Sequence, residues 1–304
     1  MVQKNTRVIG TILVMMSSLG FSIGPTLAKH AYDSGANPLG VMTVRFLIAS
    51  GIMLVLRQIL SRGEPLPNRK IMLEMFLVGA LGITIVSLTY FLAIETIDTG
   101  LAIVIWYCNP VIVVLITWLI YKKRPSRNIV FTIFFSLVGI AITTGQIQGG
   151  SGSAIALVLF SAFGFAIYLL ALDHTLRKVD LLTGTTCINL GSALGYLLIC
   201  LTRPFGLSLE LPTSSNGWLF IATFALFGTV VPFLFSYAGM QRVGPSMLSV
   251  ITLIEPVLAI AMGIIFLAEP ITTARVVGAT FVIGSLMALQ LLEKRSEKTL
   301  QTNG

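Results

Sequence analysis

Long uncharged stretches between short charge clusters constrain this chain more than any single motif. The apolar stretches run 18 to 24 residues within a chain of 304, and at 1.5 Å per helical residue each can cross a hydrocarbon core of about 30 Å. Charged residues make up 11% of the sequence, against a usual share near ~25% for soluble domains. Lipid is therefore the expected main solvent, where a backbone must satisfy its own hydrogen bonds as helix or closed barrel. The stretches lack the two-residue alternation of barrel strands, which predicts an all-α integral membrane protein.

Charge clusters and Gly/Pro signals divide the chain into ten predicted transmembrane helices, near 8-29, 38-60, 71-94, 99-121, 128-145, 153-172, 181-202, 217-240, 244-267 and 274-292. The first stretch follows Lys4 and Arg7 but runs from Val8 to about Ala28. That exceeds the roughly 7 to 15 apolar residues of a signal peptide, so it reads as a membrane helix. With a cytoplasmic N-terminus, 16 of the 20 basic residues fall inside, leaving Lys29, Arg203 and Arg275 outside and Arg45 within a helix. This positive-inside bias predicts a multi-pass protein of a bacterial-type inner membrane with both termini cytoplasmic.

The net charge of +8 does not suggest nucleic acid, because the basic residues flank apolar stretches instead of forming one patch. Cys108, Cys187 and Cys200 all lie in apolar stretches, which gives no disulfide framework and no metal-ligand spacing. No cofactor or metal is expected.

The uncharged segment 146-152 separates two sets of five helices, and its glycines suit a connection. The predicted domains are a first repeat over 1-147 and a second over 148-304. Asn109-Pro110-Val111 in the fourth helix matches Glu255-Pro256-Val257 in the ninth, Gly139 parallels Gly284, and Gly20-Phe21-Ser22 parallels Gly164-Phe165-Ala166. An odd number of helices per half means a duplicated half enters the membrane in the opposite sense, giving inverted repeats.

The ordered set Gly20-Phe21 with Lys29, Pro38, Arg45-Phe46, Asn109-Pro110-Val111, Glu255-Pro256-Val257, Leu267-Ala268-Glu269-Pro270 and Gly278 with Gly284 resembles the EamA transporters of the drug/metabolite transporter superfamily. The resemblance spans nearly the whole chain. It implies ten helices in two inverted halves and transport of amino acids, nucleotide-related metabolites or drugs, often outward. Lys123 stands where the repeat places Glu269 in the second half, a departure that the cytoplasmic preference for basic residues accounts for.

Candidate chemistry starts from charge inside the membrane, which costs about 2.5 to 3.5 kcal/mol on insertion scales. Arg45 and Glu255 both fall at intermediate depth in their helices. They can pair with each other or hold the two ends of a zwitterion, and Arg45 can instead be a buried tether to helix-end carbonyls. Pro110 and Pro256 each lack an N–H, which frees the carbonyls of Trp106 and Thr252. Pro232 is a third such site, with Thr229 nearby. Ser22, Tyr90, Trp106, Tyr107, Asn109, Tyr168, Asn189, Ser236 and Tyr237 complete the candidate substrate-binding set, with interhelix glue as the competing use of each.

The expected function is secondary transport of a small metabolite, an amino acid or similar zwitterion, by alternating access, with export as the expected direction and proton coupling or exchange as the drive. The expected partners are substrate, lipid bilayer and protons, with no nucleic acid, in a monomer or weak dimer. The rival classes are an intramembrane enzyme and a membrane receptor. Catalytic motifs such as HExxH, GxSxG, a P-loop or GxGxxG are missing from the sequence, so no enzyme is expected. The loops are too short for a signalling domain.

Overall fold

The computed structural model describes residues 2–63, 66–94, 99–122, 124–144, 151–176, 178–267 and 271–302. Glu269, Lys123 and most of the 146-152 connection lie outside these residues. Helices α1 (Val2–Tyr32), α2 (Pro38–Leu60), α3 (69–94), α4 (99–121) and α5 (Arg127–Thr144) form the first half. Helices α6 (Gly152–Leu176), α7 (Leu181–Thr202), α8 (Ser215–Val243), α9 (245–267) and α10 (Thr273–Thr302) form the second. No strand occurs among the described residues.

Among the described residues, eight helices are long and apolar enough to cross a membrane, namely α1 to α4 and α6 to α9. Helices α5 and α10 contribute shorter apolar stretches, Arg127–Thr143 and Thr273–Leu289. Leucine, isoleucine and phenylalanine side chains such as Leu119, Phe134, Phe160 and Ile265 lie exposed around the outside, as a protein solvated by lipid requires.

Four helices are not uniform. Helix α3 carries a π-turn at Val78–Ile83 and α8 another at Leu226–Val230. Helix α4 breaks into a turn at Tyr107 and Cys108, and α9 tightens into a 3-10 turn at Thr252–Ile254. Each of these last two irregularities directly precedes the helical segment that begins at Asn109 or Glu255, with proline second in it. A proline is tolerated in a helix's first turn, where its missing N–H has no intrahelical partner to lose.

Helix α1 packs on α8 and α9, while α6 packs on α3 and α4. Helix α3 meets α7, and α8 meets α2; α2 pairs with α7, and α5 with α10. Exchanging the first five helices for the last five, in order, maps this set of contacts onto itself.

Small residues set the closest crossings. A β-carbon on Gly79 would run into the Ile188 carbonyl, and one on Gly191 into the Phe76 carbonyl, so α3 and α7 approach backbone to backbone. Helices α5 and α10 do the same where a β-carbon on Gly139 would stand 2.6 Å from the Gly278 carbonyl. Ser136 and Ser285 hydrogen-bond across that crossing at 2.8 Å. Gly20, Gly24 and Gly195 also face neighbouring helices of the same chain.

Two polar clasps hold α2 and α7 at their ends. Asn37 caps α2 by accepting from the Gly40 N–H, and its amide donates to the Ser208 carbonyl at 2.8 Å. At the opposite end Asp180 caps α7 through the Thr183 N–H at 2.9 Å, Ser61 donates to Asp180, and Arg57 Nε donates to Thr183 Oγ1 at 2.7 Å.

Candidate substrate-binding cavity

The breaks in α4 and α9 bring their polar residues to one interior space. Its deep chamber, about 270 Å³, is lined by residues that include Arg45, Trp106, Tyr107, Tyr168, Ser236, Tyr237 and Glu255. A wider vestibule of about 690 Å³ shares Phe21, Arg45, Val86, Ser87, Trp106 and Tyr107 with the chamber. The vestibule reaches Ala28 and Tyr32 in the last turns of α1 and Arg275 in the first turn of α10. In the other direction the chamber ends on Leu248 and on the Tyr168 and Tyr237 hydroxyls, which hydrogen-bond to each other.

Glu255 is held by hydroxyl groups. Ser18 Oγ donates to Glu255 Oε1 at 3.2 Å and the Tyr107 hydroxyl to Oε2 at 3.4 Å. Two donors from α1 and α4 thus fix the carboxyl of α9, while no ion pair joins it to Arg45 among the described residues.

Arg45 sits among aromatic rings. Its guanidinium carbon lies 4.7 Å from the Phe46 ring centroid and 4.3 Å from that of Phe224. Such contacts with aromatic faces are worth about 0.5 to 2 kcal/mol. Its Nη1 donates to Met42 Sδ at 3.3 Å, while Nε is buried with no hydrogen-bond partner. A thioether and two ring faces do not neutralise a guanidinium, and no helix-end carbonyl is found tethering it among the described residues.

The carbonyls freed by proline find different partners. Asn109 Nδ2 donates to the Trp106 carbonyl at 2.9 Å, so the first break is satisfied by a side chain. The Thr252 carbonyl accepts from the Glu255 N–H within the 3-10 turn. Near the third proline, Thr229 Oγ1 donates at 3.3 Å to the Phe224 carbonyl beside the π-turn, not to the Gly228 carbonyl four residues before Pro232. The Trp106 and Thr252 carbonyls are therefore met by protein groups.

Eight of the eleven predicted site residues meet at this space: Arg45, Tyr90, Trp106, Tyr107, Tyr168, Ser236, Tyr237 and Glu255. Three do not line it. Asn109 turns back to Trp106, Asn189 donates to the Thr185 carbonyl at 2.9 Å, and Ser22 donates to the Leu19 carbonyl at 2.7 Å. The sequence reading missed Ser18, Ser87 and Thr252 as polar members, and Phe21, Phe165 and Phe233 as walls. Among these, Phe21 and Phe165 carried a signal, through the parallel segments Gly20-Phe21-Ser22 and Gly164-Phe165-Ala166, and Thr252 through its place before Pro256.

A crystal structure of another protein superposes with a TM-score of 0.80 at 19% identity, covering 96% of this chain and 99% of its own, which shows a shared fold. An uncharacterized inner membrane transporter, YicL of Salmonella typhimurium, is 23% identical over 94% of this chain and 96% of its own. Protein PecM of Dickeya dadantii is 24% identical over 83% of each chain. An uncharacterized transporter of Bacillus subtilis, YetK, is 20% identical over 84% of this chain and 78% of its own. The EamA-like transporter family matches residues 8–145 and again residues 152–290. The chain is therefore a membrane transporter and belongs to the EamA-like transporter family.

Proposed function

We propose that this transporter is a secondary carrier of small zwitterions, amino acids foremost, working by alternating access between two inverted five-helix repeats, residues 1-147 and 148-304. The observation that carries the reading is that Arg45 and Glu255 line one chamber without pairing with each other. Opposite charges left apart in a low-dielectric space are each costly, and a ligand bearing both a carboxylate and an ammonium group offsets both costs at once. The double family match and the contact set that maps onto itself support the repeats. Ten crossings follow if the shorter stretches of α5 and α10 also span the bilayer.

In this reading both termini are cytoplasmic, the membrane is the inner membrane, and the protein works as a monomer or weak dimer. The vestibule then faces outward, and the Tyr168–Tyr237 contact closes the cytoplasmic side. Export would begin from the opposite state, after that contact opens. Glu255 is the proposed proton site if the drive is a pH gradient, and exchange is the alternative drive.

A counterflow screen in proteoliposomes tests this reading. Unlabelled zwitterion inside should accelerate uptake of labelled zwitterion, and absence of counterflow for every amino acid tried would overturn the substrate class.

A further inference from the structure

The deep chamber is walled by rings that touch one another in sequence. Trp106 lies between Tyr107 and Phe165, with ring centroids 5.1 and 5.0 Å away, and Phe165 stacks on Tyr168 at 5.8 Å. The Tyr168 hydroxyl meets that of Tyr237, Tyr237 stacks on Phe233 at 5.5 Å, and Phe233 meets Phe21 edge-on at 5.3 Å. All seven rings line the chamber, so an unbroken belt drawn from α1, α4, α6 and α8 runs through its wall. At one end of the belt the Tyr107 hydroxyl reaches Glu255. The belt joins the two halves at repeat-related places, since Phe21 and Phe165 follow the matching glycines Gly20 and Gly164.

We infer that the chamber recognises N-methylated ammonium groups, so that methylated amino acids of the betaine type bind in preference to their primary-amine counterparts. Ring faces attract a cation through their quadrupole, and aromatic cages hold methylated ammonium groups in this way. Glu255 beside the belt supplies the counter-charge. Part of the chamber's hydrogen-bonding capacity is already used, because each Glu255 oxygen accepts a hydroxyl and the Tyr168 and Tyr237 hydroxyls are engaged with each other. A primary ammonium sheds water from three N–H donors on entering and must find an acceptor for each. Every methyl group removes one donor and adds apolar surface that packs on a ring. Methylation thus replaces a desolvation cost with contact on the belt, while leaving the positive charge for Glu255 and the ligand's carboxylate for Arg45. The inference narrows the zwitterion reading and rests on it for transport, whereas binding is tested separately.

Titration calorimetry on the full-length protein in detergent tests the inference with glycine, N,N-dimethylglycine and glycine betaine, which differ only at the amine end. Binding should tighten along the series, with betaine about tenfold tighter than glycine. The isostere of betaine with carbon in place of nitrogen, 3,3-dimethylbutyrate, should bind about tenfold more weakly than betaine. Trp106→Leu keeps an apolar side chain but removes the ring, and it should bring betaine and glycine to within about twofold of each other. Trp106→Phe should keep most of the preference, and Phe165→Leu should reduce it as a second probe of the belt. Glycine binding as tightly as betaine, equal binding of the isostere, or a full preference surviving both leucine substitutions in proteins with unchanged thermal unfolding would each overturn the inference. If amino acids show counterflow while methylation makes no difference, the transport reading stands and the belt inference falls. If betaine binds with its dependence on the belt but no zwitterion exchanges, the belt stands and the transport reading falls.

Discussion

The side-chain amide of Asn109 donates to the Trp106 carbonyl at 2.9 Å, the carbonyl that Pro110 deprives of a helical donor. Asparagine thus permits a helix to break inside the membrane without leaving a bare carbonyl in an apolar setting. Asn109 is itself 2% exposed.

Asn109→Leu should leave that carbonyl unsatisfied and destabilise the fold by about 1 to 3 kcal/mol. Thermal unfolding in detergent measures the loss. Since Trp106 walls the chamber, its emission should shift as well. Unchanged unfolding and emission would mean that the break does not depend on the amide.

Orientation is testable in a background where Cys108, Cys187 and Cys200 are replaced by alanine. Leu209 lies exposed in the segment between α7 and α8, and Ser126 lies exposed before α5. In intact cells an impermeant thiol reagent should label Leu209→Cys and spare Ser126→Cys. The reverse pattern would invert the topology and turn the vestibule toward the cytoplasm.

Asp180 predicts a pH dependence outside the membrane. Partial burial disfavours its charged form, but hydrogen bonds from Thr183 and Ser61 and the charge of Arg57 outweigh this and hold the carboxyl below its ordinary value of 3.8. A depressed carboxyl stabilises the fold above its ordinary value and loses that contribution as pH falls through the folded value. Asn is an equally good helix cap, so Asp180→Asn isolates the charge. Its unfolding temperature should fall below wild type at neutral pH, and the difference should shrink as the medium is acidified below 3.8. A constant difference across that range would rule out the charge as the cause.

Much of this arrangement was legible because membrane helices make a few residues conspicuous. Arg45 and Glu255 stand out in apolar stretches, and both line the chamber. Pro110 and Pro256 stand out as missing donors, and α4 and α9 break just before them. The π-turns of α3 and α8 were not legible, since no residue type enforces them.

Nor could polar residues be sorted by partner. Ser22 and Asn189 turn to carbonyls three or four residues back, a use open to any such side chain in a helix. Ser18 reaches Glu255, 237 positions away. Phenylalanines are ambiguous for another reason: Phe165 walls the chamber while Phe160 is exposed on the same helix, and apolarity alone does not separate lipid from ligand.

The most direct test of the central claim pairs ligand changes with Arg45 and Glu255 changes in one competition assay of counterflow. Each end of the zwitterion should depend on one residue. Arg45→Gln should weaken an amino acid about tenfold or more yet leave its amide, which lacks the carboxylate, at its wild-type inhibition. Glu255→Gln should weaken the amino acid similarly yet leave the deaminated acid unaffected. Equal, wild-type competition by the amino acid in both correctly folded variants would contradict the account.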